Sequence, residues 1–286
     1  MQQLGLDGMP TRLVVCTPSR LTTWLDCPRR YRMTYLDRPA PQRGPAWAHS
    51  TVGAVIHLAL ARWWDLPLPR RTPSGARGLV DRAWQTEGFL DAAQAHRWRG
   101  YAGEMVEGYV EGLDPADEPV GVERTVAFRT ATLAVSGRVD RVDLRGEEVV
   151  VVDYKTGRSA LSTDDARGSL ALALYARAAA RTLRRACTRV ELHHLPSGQV
   201  HAWEHTTASL DRHVGRAEAI AAESAAATAA LVAGGSAEEL FPPRPGPLCG
   251  WCDLARHCPE GRAASGGAKQ PWAGLAQERE PTPPVD

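Results

Sequence analysis

The spacing of apolar residues along the chain shifts from a helical period to a strand period and back. Apolar side chains that recur every three or four residues are typical of helices, and alternation or an unbroken valine run is typical of strands. The patterns predict helices over 17–37, 50–64, two across 76–112, 164–183 and 207–232. They predict strands over 120–128, 134–144, 149–154, 188–195 and 199–205. This order indicates an α/β fold in which helices flank a mixed central sheet.

The same patterns predict one folded domain over 1–260 and a tail over 261–286. Within the domain, we expect a helical insertion at about 50–113 and the core sheet at about 120–206. Residues 241–260 form a loop rich in proline and cysteine. The tail contains mainly Gly, Ala, Pro and charged residues, a composition that predicts disorder because it offers little to bury.

Composition and charge exclude several classes of protein. Of the 286 residues, 43% are hydrophobic and 23% are charged, which excludes a wholly disordered or fibrous chain. Residues 1–10 lack the cationic start and apolar run of a signal peptide, and the most apolar stretch, Ala219–Ala233, is too short to span a bilayer. These features predict a cytoplasmic protein without membrane contact. The net charge of +1 indicates no partner by itself.

The strongest chemical signal is a carboxylate–lysine pair at the end of a valine run. Asp153 and Lys155 are two apart on a predicted strand and so point to one face, whereas Tyr154 points to the other. Asp140 lies on the preceding strand, and a hairpin between the two strands brings it opposite Asp153. Two adjacent carboxylates repel unless a cation lies between them, and carboxylate oxygens suit Mg²⁺ or Mn²⁺. An ordinary ion pair is the alternative for Asp153 and Lys155.

The lysine itself supports a chemical role. Only two of the 34 basic residues are lysines, Lys155 and Lys269, and an ammonium differs from a guanidinium in size and acidity. Lys155 followed by Thr156 suggests a phosphate-binding loop, but Tyr154 stands where that loop needs glycine. We therefore expect no nucleotide-driven motor in this chain.

The phrases GRVDRVDL and VVVVDYKTG resemble the core of the RecB-type exonuclease branch of the PD-(D/E)xK nuclease superfamily. The segment TPSRLTTWLDCPRRYRMTYL resembles the opening helix of that branch, and Gly53 to His57 resembles its G-x-x-x-H helix. The C-terminal cysteines resemble its iron–sulfur signature. The resemblance implies a restriction-endonuclease-like core with an N-terminal helical layer and a C-terminal iron–sulfur loop.

The resemblance also implies roles for individual residues. Asp140 and Asp153 are implied as metal ligands, helped by the Tyr154 carbonyl, and Lys155 as the catalytic lysine. His57 is implied as a further metal ligand; without the motif, a buried histidine with satisfied hydrogen bonds is the simpler interpretation.

Two more positions are implied as supporting residues, and one position departs from the family pattern. Glu123 lies where such nucleases often carry an acidic residue, although ordinary surface charge is the alternative. The family carries Gln-x-x-x-Tyr on the helix after the lysine. Here Tyr175 fits, but Ala171 stands at the glutamine position, which predicts reduced activity or a changed substrate preference.

Four cysteines form a candidate metal centre. Cys249, Cys252 and Cys258 follow a C-x₂-C-x₅-C spacing, and Cys27 lies far upstream. Four thiolates suit either Zn²⁺ or a [4Fe–4S] cluster, and the spacing does not decide between them. The resemblance implies the cluster. His257 is a weaker alternative ligand. Two further cysteines are expected to be buried thiols, Cys16 and Cys187.

A run of arginines near the N-terminus is a candidate DNA-binding strip. Its proposed members are Arg29, Arg30, Arg32, Arg38 and Arg43, with Tyr31, Tyr35 and Trp47 available to stack on bases. The alternative is a solvated helix face whose aromatic residues lie in the core.

Together these features predict a metal-dependent DNA nuclease. The expected activity is exonucleolytic hydrolysis of single-stranded ends in repair or recombination, at the nucleoid and with a separate helicase as a possible partner. A catalytically weak DNA-end-binding subunit of a helicase–nuclease assembly is the second hypothesis. The third is a zinc-bound structural module with a chance Asp-x-Lys pair.

Overall fold

The computed structural model describes residues 13–266 and 269–275 and confirms a mixed α/β fold. Its strands are β1 (Val14–Cys16), β2 (Gly121–Arg129), β3 (Leu133–Arg145), β4 (Glu148–Lys155), β5 (Arg189–His194) and β6 (Gln199–Glu204). Its first five helices are α1 (Pro18–Asp26), α2 (Pro28–Tyr35), α3 (Ala48–Trp64), α4 (Pro73–Ala83) and α5 (Ala92–Glu111). The others are α6 (Thr163–Gly168), α7 (Leu170–Leu183), α8 (Thr207–Val232), α9 (Ala237–Leu240) and α10 (Pro259–Ala264).

All six strands belong to one sheet. The order is β1-β3-β4-β5-β6, and β2 also pairs with β3. The β1–β3 and β4–β5 pairs are parallel, and the other pairs are antiparallel. Ala134 pairs with both β1 and β2, and Val142 pairs with both β2 and β4. Therefore β1 and β4 share one edge of β3, and a gap between them leaves residues 136–140 of β3 facing a cleft.

The valine run of β4 is buried on both faces of the sheet, as its composition predicts. Val149 and Val151 belong to a core cluster that includes residues of α1, α7 and α8. Val150 and Val152 belong to a second cluster, which includes residues of α3, α4 and α5. Ionisable residues at the end of this strand therefore lie next to the two buried core clusters.

Two predicted helices are each interrupted by a single residue. The helix expected over 17–37 breaks at Cys27, whose φ and ψ of −165° and 112° are extended because Pro28 disfavours a helical residue before it. The helix expected over 164–183 breaks at Ser169, which caps α7 by accepting a hydrogen bond from the Leu172 backbone at 3.2 Å. In both cases one local residue, Pro28 or Ser169, interrupts the helix that the spacing of apolar residues predicts to continue.

Parts of the tail predicted to be disordered are helical in the described residues. Helix α10 extends to Ala264, and residues 273–275 form a 3₁₀ turn whose Leu275 is buried against the second cluster. The Lys269 ammonium lies 4.3 Å from the centre of the Trp251 ring. Leu275 and the Lys269–Trp251 contact attach this segment to the rest of the fold. The composition of the segment did not indicate these contacts. The rest of the predicted tail, 267–268 and 276–286, and residues 1–12 of the predicted domain lie outside the described residues.

The loop predicted at 241–260 is also more regular than expected. It contains 3₁₀ turns at Pro247–Trp251 and Ala255–His257. Among all helices of the described ranges, none is long and apolar enough to cross a membrane.

Candidate functional site

Three acidic residues lie side by side on β2, β3 and β4. In the β2–β3 ladder, Val122 pairs with Arg141 and Arg124 pairs with Val139. Glu123 therefore lies opposite Asp140. On the other edge, Arg141 pairs with Val152, so Asp153 is the next residue opposite Asp140. The hairpin expected from the sequence does bring Asp140 next to Asp153. The pairing of β2 with β3 adds a third carboxylate, that of Glu123.

The backbone is irregular where these carboxylates meet. Glu123 has a φ of 47°, in the left-handed region that a residue with a side chain seldom adopts. Val139 and Val142 both lie in the first core cluster although they are three residues apart, so the alternation of β3 is interrupted at Asp140. The Tyr154 backbone N–H donates to Asp140 Oδ2 at 2.8 Å, and this bond fixes the carboxylate.

Helix α3 brings an imidazole to the same point. A Cβ on Gly53 would lie 3.1 Å from Thr156 Oγ1, so glycine allows the helix to approach the end of β4 closely. One turn later, His57 Nδ1 lies 3.2 Å from Asp140 Oδ1. Burial lowers the pKa of His57, but the hydrogen bond with Asp140 and the surrounding negative charge outweigh it and raise the pKa.

Asp153 and Lys155 form an ion pair beside this group. Lys155 Nζ lies 2.6 Å from Asp153 Oδ2. Burial raises the pKa of Asp153, and the negative charge of Asp140 adds to this effect, while Lys155 and His57 lower it; the net shift is upward. The Tyr154 ring lies on the other face, buried against His57 at 5.8 Å between ring centres. The carboxylate–lysine pair therefore lies on one face, as the two-residue spacing requires.

The donor atoms that come together suit a divalent cation. His57 Nδ1 and carboxylate oxygens of Glu123 and Asp140 lie within 4.8 Å of one another, and all three residues are half-buried. One imidazole and two carboxylates are hard or borderline donors that fit Mg²⁺ or Mn²⁺. Asp153 does not join this set in the described structure, because its Oδ2 faces Lys155. The ligand set expected from the sequence is thus brought together in part, with Glu123 more central than predicted.

The Tyr175 ring on α7 packs against Gly137 of β3. A Cβ on Gly137 would lie 2.6 Å from the ring atom Cε1 of Tyr175, so only glycine leaves room for this ring. Burial raises the pKa of Tyr175, and the charges of Asp153 and Asp140 raise it further. Ala171, one turn earlier on α7, is half-buried.

A buried cation behind the site was missed by the sequence analysis. The Arg141 side chain is 4% exposed, and its Nε lies 2.9 Å from Asp143 Oδ1. Its Nη1 donates to the hydroxyl oxygens of Tyr109 at 3.1 Å and Tyr154 at 3.3 Å. This network fixes Tyr154, whose neighbours along β4 are Asp153 and Lys155. The arginine inside the GRVDRVD phrase was the available signal.

Two arginines of the predicted DNA-binding strip lie in ion pairs within the fold. Arg29 is buried, and its Nη1 lies 2.6 Å from Glu260 Oε2. The Arg32 side chain is 12% exposed and lies 3.3 Å from Asp37. Both guanidiniums are therefore engaged within the fold, Arg29 by the C-terminal segment and Arg32 by Asp37 just after α2.

The other members of the strip also have partners within the chain. Arg30 and Arg43 lie 3.9 and 2.9 Å from the Asp253 carboxylate, and Arg38 donates to the Asp37 carbonyl at 2.6 Å. Of the rings proposed to stack on bases, Tyr31 is buried in the core, Tyr35 packs against it, and Trp47 packs against Trp251.

The four predicted cysteines line one cavity of about 180 Å³ between α2 and the C-terminal loop, namely Cys27, Cys249, Cys252 and Cys258. The backbone N–H groups of Gly246 and Gly261 point at two of the sulfurs, at 3.4 and 3.3 Å. A Cβ on Gly261 would lie 3.2 Å from Cys258 Sγ and 3.5 Å from Cys249 Sγ, so glycine keeps this cavity open. His257 is engaged elsewhere, with Nε2 2.9 Å from the Gln42 carbonyl oxygen.

The two remaining cysteines are buried, as predicted. Burial raises the pKa of Cys16 to about 11 and that of Cys187 to about 12. Neither residue lines the cysteine cavity.

The model of one protein family matches this chain over residues 15–259, a span that includes every site residue described above except the Glu260 partner of Arg29. That family is the PD-(D/E)XK nuclease superfamily. The chain belongs to it. Membership in the PD-(D/E)XK superfamily makes phosphodiester hydrolysis the reaction class and a nucleic acid the substrate class. The donor set of His57, Glu123 and Asp140 is consistent with a metal-dependent PD-(D/E)XK nuclease. No curated protein matches the chain.

Proposed function

We propose that the protein is a metal-dependent deoxyribonuclease of the RecB-type branch, acting as an exonuclease on single-stranded ends in DNA repair or recombination. One observation carries the proposal: His57, Glu123 and Asp140 converge within 4.8 Å beside the Asp153–Lys155 ion pair. Such a group brings an imidazole, three carboxylates and an ammonium close together where α3 meets β2, β3 and β4. A DNA substrate would place this activity at the nucleoid.

The roles follow from the chemistry of the side chains. A divalent cation bound here would polarise the scissile phosphate and lower the pKa of a water molecule. His57, Asp140 and Glu123 are the proposed ligands, joined by Asp153 and the Tyr154 carbonyl. Lys155 orients the attacking water and offsets negative charge that develops on the phosphoryl oxygens. Asp153 holds the ammonium of Lys155 at the site.

The four cysteines are proposed to bind a [4Fe–4S] cluster. Support comes from their shared cavity and from the glycine that keeps it open. Four thiolates suit either this cluster or a tetrahedral Zn²⁺. Zinc is the alternative outcome.

Ala171 favours a second candidate function, a DNA-end-binding subunit with weak catalysis in a helicase–nuclease assembly. It replaces the glutamine that the family carries one turn before Tyr175, so a polar contact to the site or the DNA is missing. A separate helicase would be the partner in either case.

The decisive test is cleavage by full-length protein purified without oxygen. The substrates are end-labelled single-stranded and double-stranded DNA, each with Mg²⁺, Mn²⁺ or a chelator. We expect shortening of single strands that requires metal and is lost in Lys155→Ala. Binding to DNA ends without cleavage under any metal would instead support the second candidate. Iron, sulfide and zinc analysis of the same sample tests the cluster, and stoichiometric zinc without iron would refute it.

A further inference from the structure

A second depression continues from the catalytic cleft along α5. The cleft encloses about 760 Å³ and the second depression about 580 Å³, and we call the latter the α5 groove. Trp98, Thr156 and Arg158 line both depressions, so the two form one continuous surface. The groove therefore begins where the residues after Lys155 leave the sheet.

The groove combines aromatic faces with cations. Trp98 and Tyr101 pack edge to face with 5.5 Å between ring centres, and Tyr101 is 36% exposed. Arg97 and Arg158 also line the groove, and Glu104 is the acidic residue among its lining. Bases stack on aromatic faces and phosphates pair with guanidiniums, so this mixture is suited to an unpaired nucleic-acid strand. Three of these groove residues, Arg97, Trp98 and Tyr101, come from one short phrase of α5, RWRGY.

We propose that the α5 groove binds the unpaired nucleotides next to the scissile phosphate, with Tyr101 and Trp98 stacking on bases and Arg97 and Arg158 contacting phosphates. The proposal deepens the proposed function and rests on it, because a DNA strand is taken to enter the adjoining cleft. A base pair inside a duplex is already stacked on both faces, so the groove selects single-stranded DNA.

Gly108 makes the groove testable without disturbing the core. This residue lines the groove on α5, and a Cβ placed on it meets no atom within 4 Å. Gly108→Leu therefore fills the groove while keeping the helix. Gly100→Leu is the matched control, because Gly100 lies on the same helix, also has open space around its Cβ and does not line either depression. Leucine also has the higher helix propensity, so both variants should fold.

The experiment measures fluorescence anisotropy of labelled oligo-dT and of a labelled blunt hairpin duplex, in chelator so that no cleavage occurs. We expect Tyr101→Ala and Gly108→Leu each to weaken oligo-dT binding by about fivefold to a hundredfold, the range of base–aromatic stacking. Hairpin binding should change by less than roughly twofold, since paired bases do not stack there. Tyr101→Phe keeps the ring and should restore binding, and Gly100→Leu should match the wild type.

The outcomes separate this proposal from the proposed function. Unchanged oligo-dT binding by Tyr101→Ala and Gly108→Leu would overturn the proposal that the α5 groove binds DNA. An equal loss of affinity for the hairpin duplex would overturn it as well. Wild-type cleavage of DNA with Mg²⁺ is measured separately. A wild type that binds through the groove but never cleaves would contradict the nuclease assignment and leave the groove intact.

Discussion

The substitution Asp153→Asn should make the metal-free protein more stable while it removes cleavage. The pKa of Asp153 lies above its usual range, because burial and the negative charge of Asp140 outweigh the effect of Lys155, which lies 2.6 Å away. Compared with water, the fold therefore disfavours the charged carboxylate, and this charge costs stability at neutral pH. Asparagine keeps the shape of the side chain without the charge.

The magnitude is set by two opposing changes. Removing the charge relieves desolvation and the repulsion from Asp140, whereas it also removes an ion pair whose lysine side chain is 46% exposed. A half-exposed pair of this kind contributes about 0–1 kcal/mol. We expect a net gain of about 1–2 kcal/mol, within the range common for one stabilising substitution. For a chain of this size that is roughly 2–6 °C in melting temperature.

The pH dependence has a definite sign. A carboxyl group whose folded pKa is raised stabilises the fold below its unfolded pKa, and this contribution is lost as pH rises through the folded pKa. The stability advantage of Asp153→Asn should therefore be largest at pH 8 and should close toward pH 4. With Mn²⁺ present, ligand binding stabilises the wild type more than the variant, so the gap narrows or reverses.

The assay is thermal unfolding in chelator at pH 8 and pH 4, with and without Mn²⁺. Asp143→Asn is the matched control on β3. It should lower the melting temperature, because Arg141 is 4% exposed and loses the carboxylate that lies 2.9 Å from its Nε. A melting temperature of Asp153→Asn at or below that of the wild type in chelator at pH 8 would refute the reasoning.

Three further substitutions test the other roles. Lys155→Ala should abolish cleavage of labelled DNA without unfolding the protein, and Lys155→Arg should fail as well because the planar guanidinium is larger and stays protonated; full activity in either would contradict the catalytic assignment. Ala171→Gln should raise the cleavage rate or broaden substrate use, and identical rates on both DNA forms would show that the position is neutral. Cys27→Ala should lose iron absorbance and lower the melting temperature, whereas Cys187→Ala should keep its iron; full iron content in Cys27→Ala would exclude the four-cysteine site.

The reactivity of the two buried thiols gives one more prediction, which alkylation followed by mass spectrometry can test. Burial raises the pKa of Cys187 to about 12 and that of Cys16 to about 11, so both remain thiols at pH 8 and should resist iodoacetamide in the native protein. The same shift means that their contribution to stability is complete below the unfolded pKa of about 9 and is lost as pH rises toward 12. Rapid labelling of either residue before unfolding would contradict their burial.

The sequence by itself determined five of the six strands, β2 to β6, and the face shared by Asp153 and Lys155. The valine run of β4 predicts a strand buried on both faces, and the two-residue spacing of Asp153 and Lys155 puts them on one face, because both properties depend only on the strand period. The four-residue step from Gly53 to His57 likewise follows from one helical turn. Such local periods can be read without knowing which elements meet.

Only the tertiary structure decided which of these side chains meet. Glu123 joins His57 and Asp140 because β2 pairs with β3 and α3 packs over both, and its backbone is left-handed there, a conformation that no local pattern indicates. Likewise Arg29 and Arg32 look like a solvent-facing strip in the sequence but lie in ion pairs. Two of their partners, Glu260 for Arg29 and Glu238 for Arg32, lie more than 200 residues away along the chain. Ion pairs between residues so far apart in sequence depend on how whole helices and loops pack. The spacing of apolar residues within one segment carries no information about that packing.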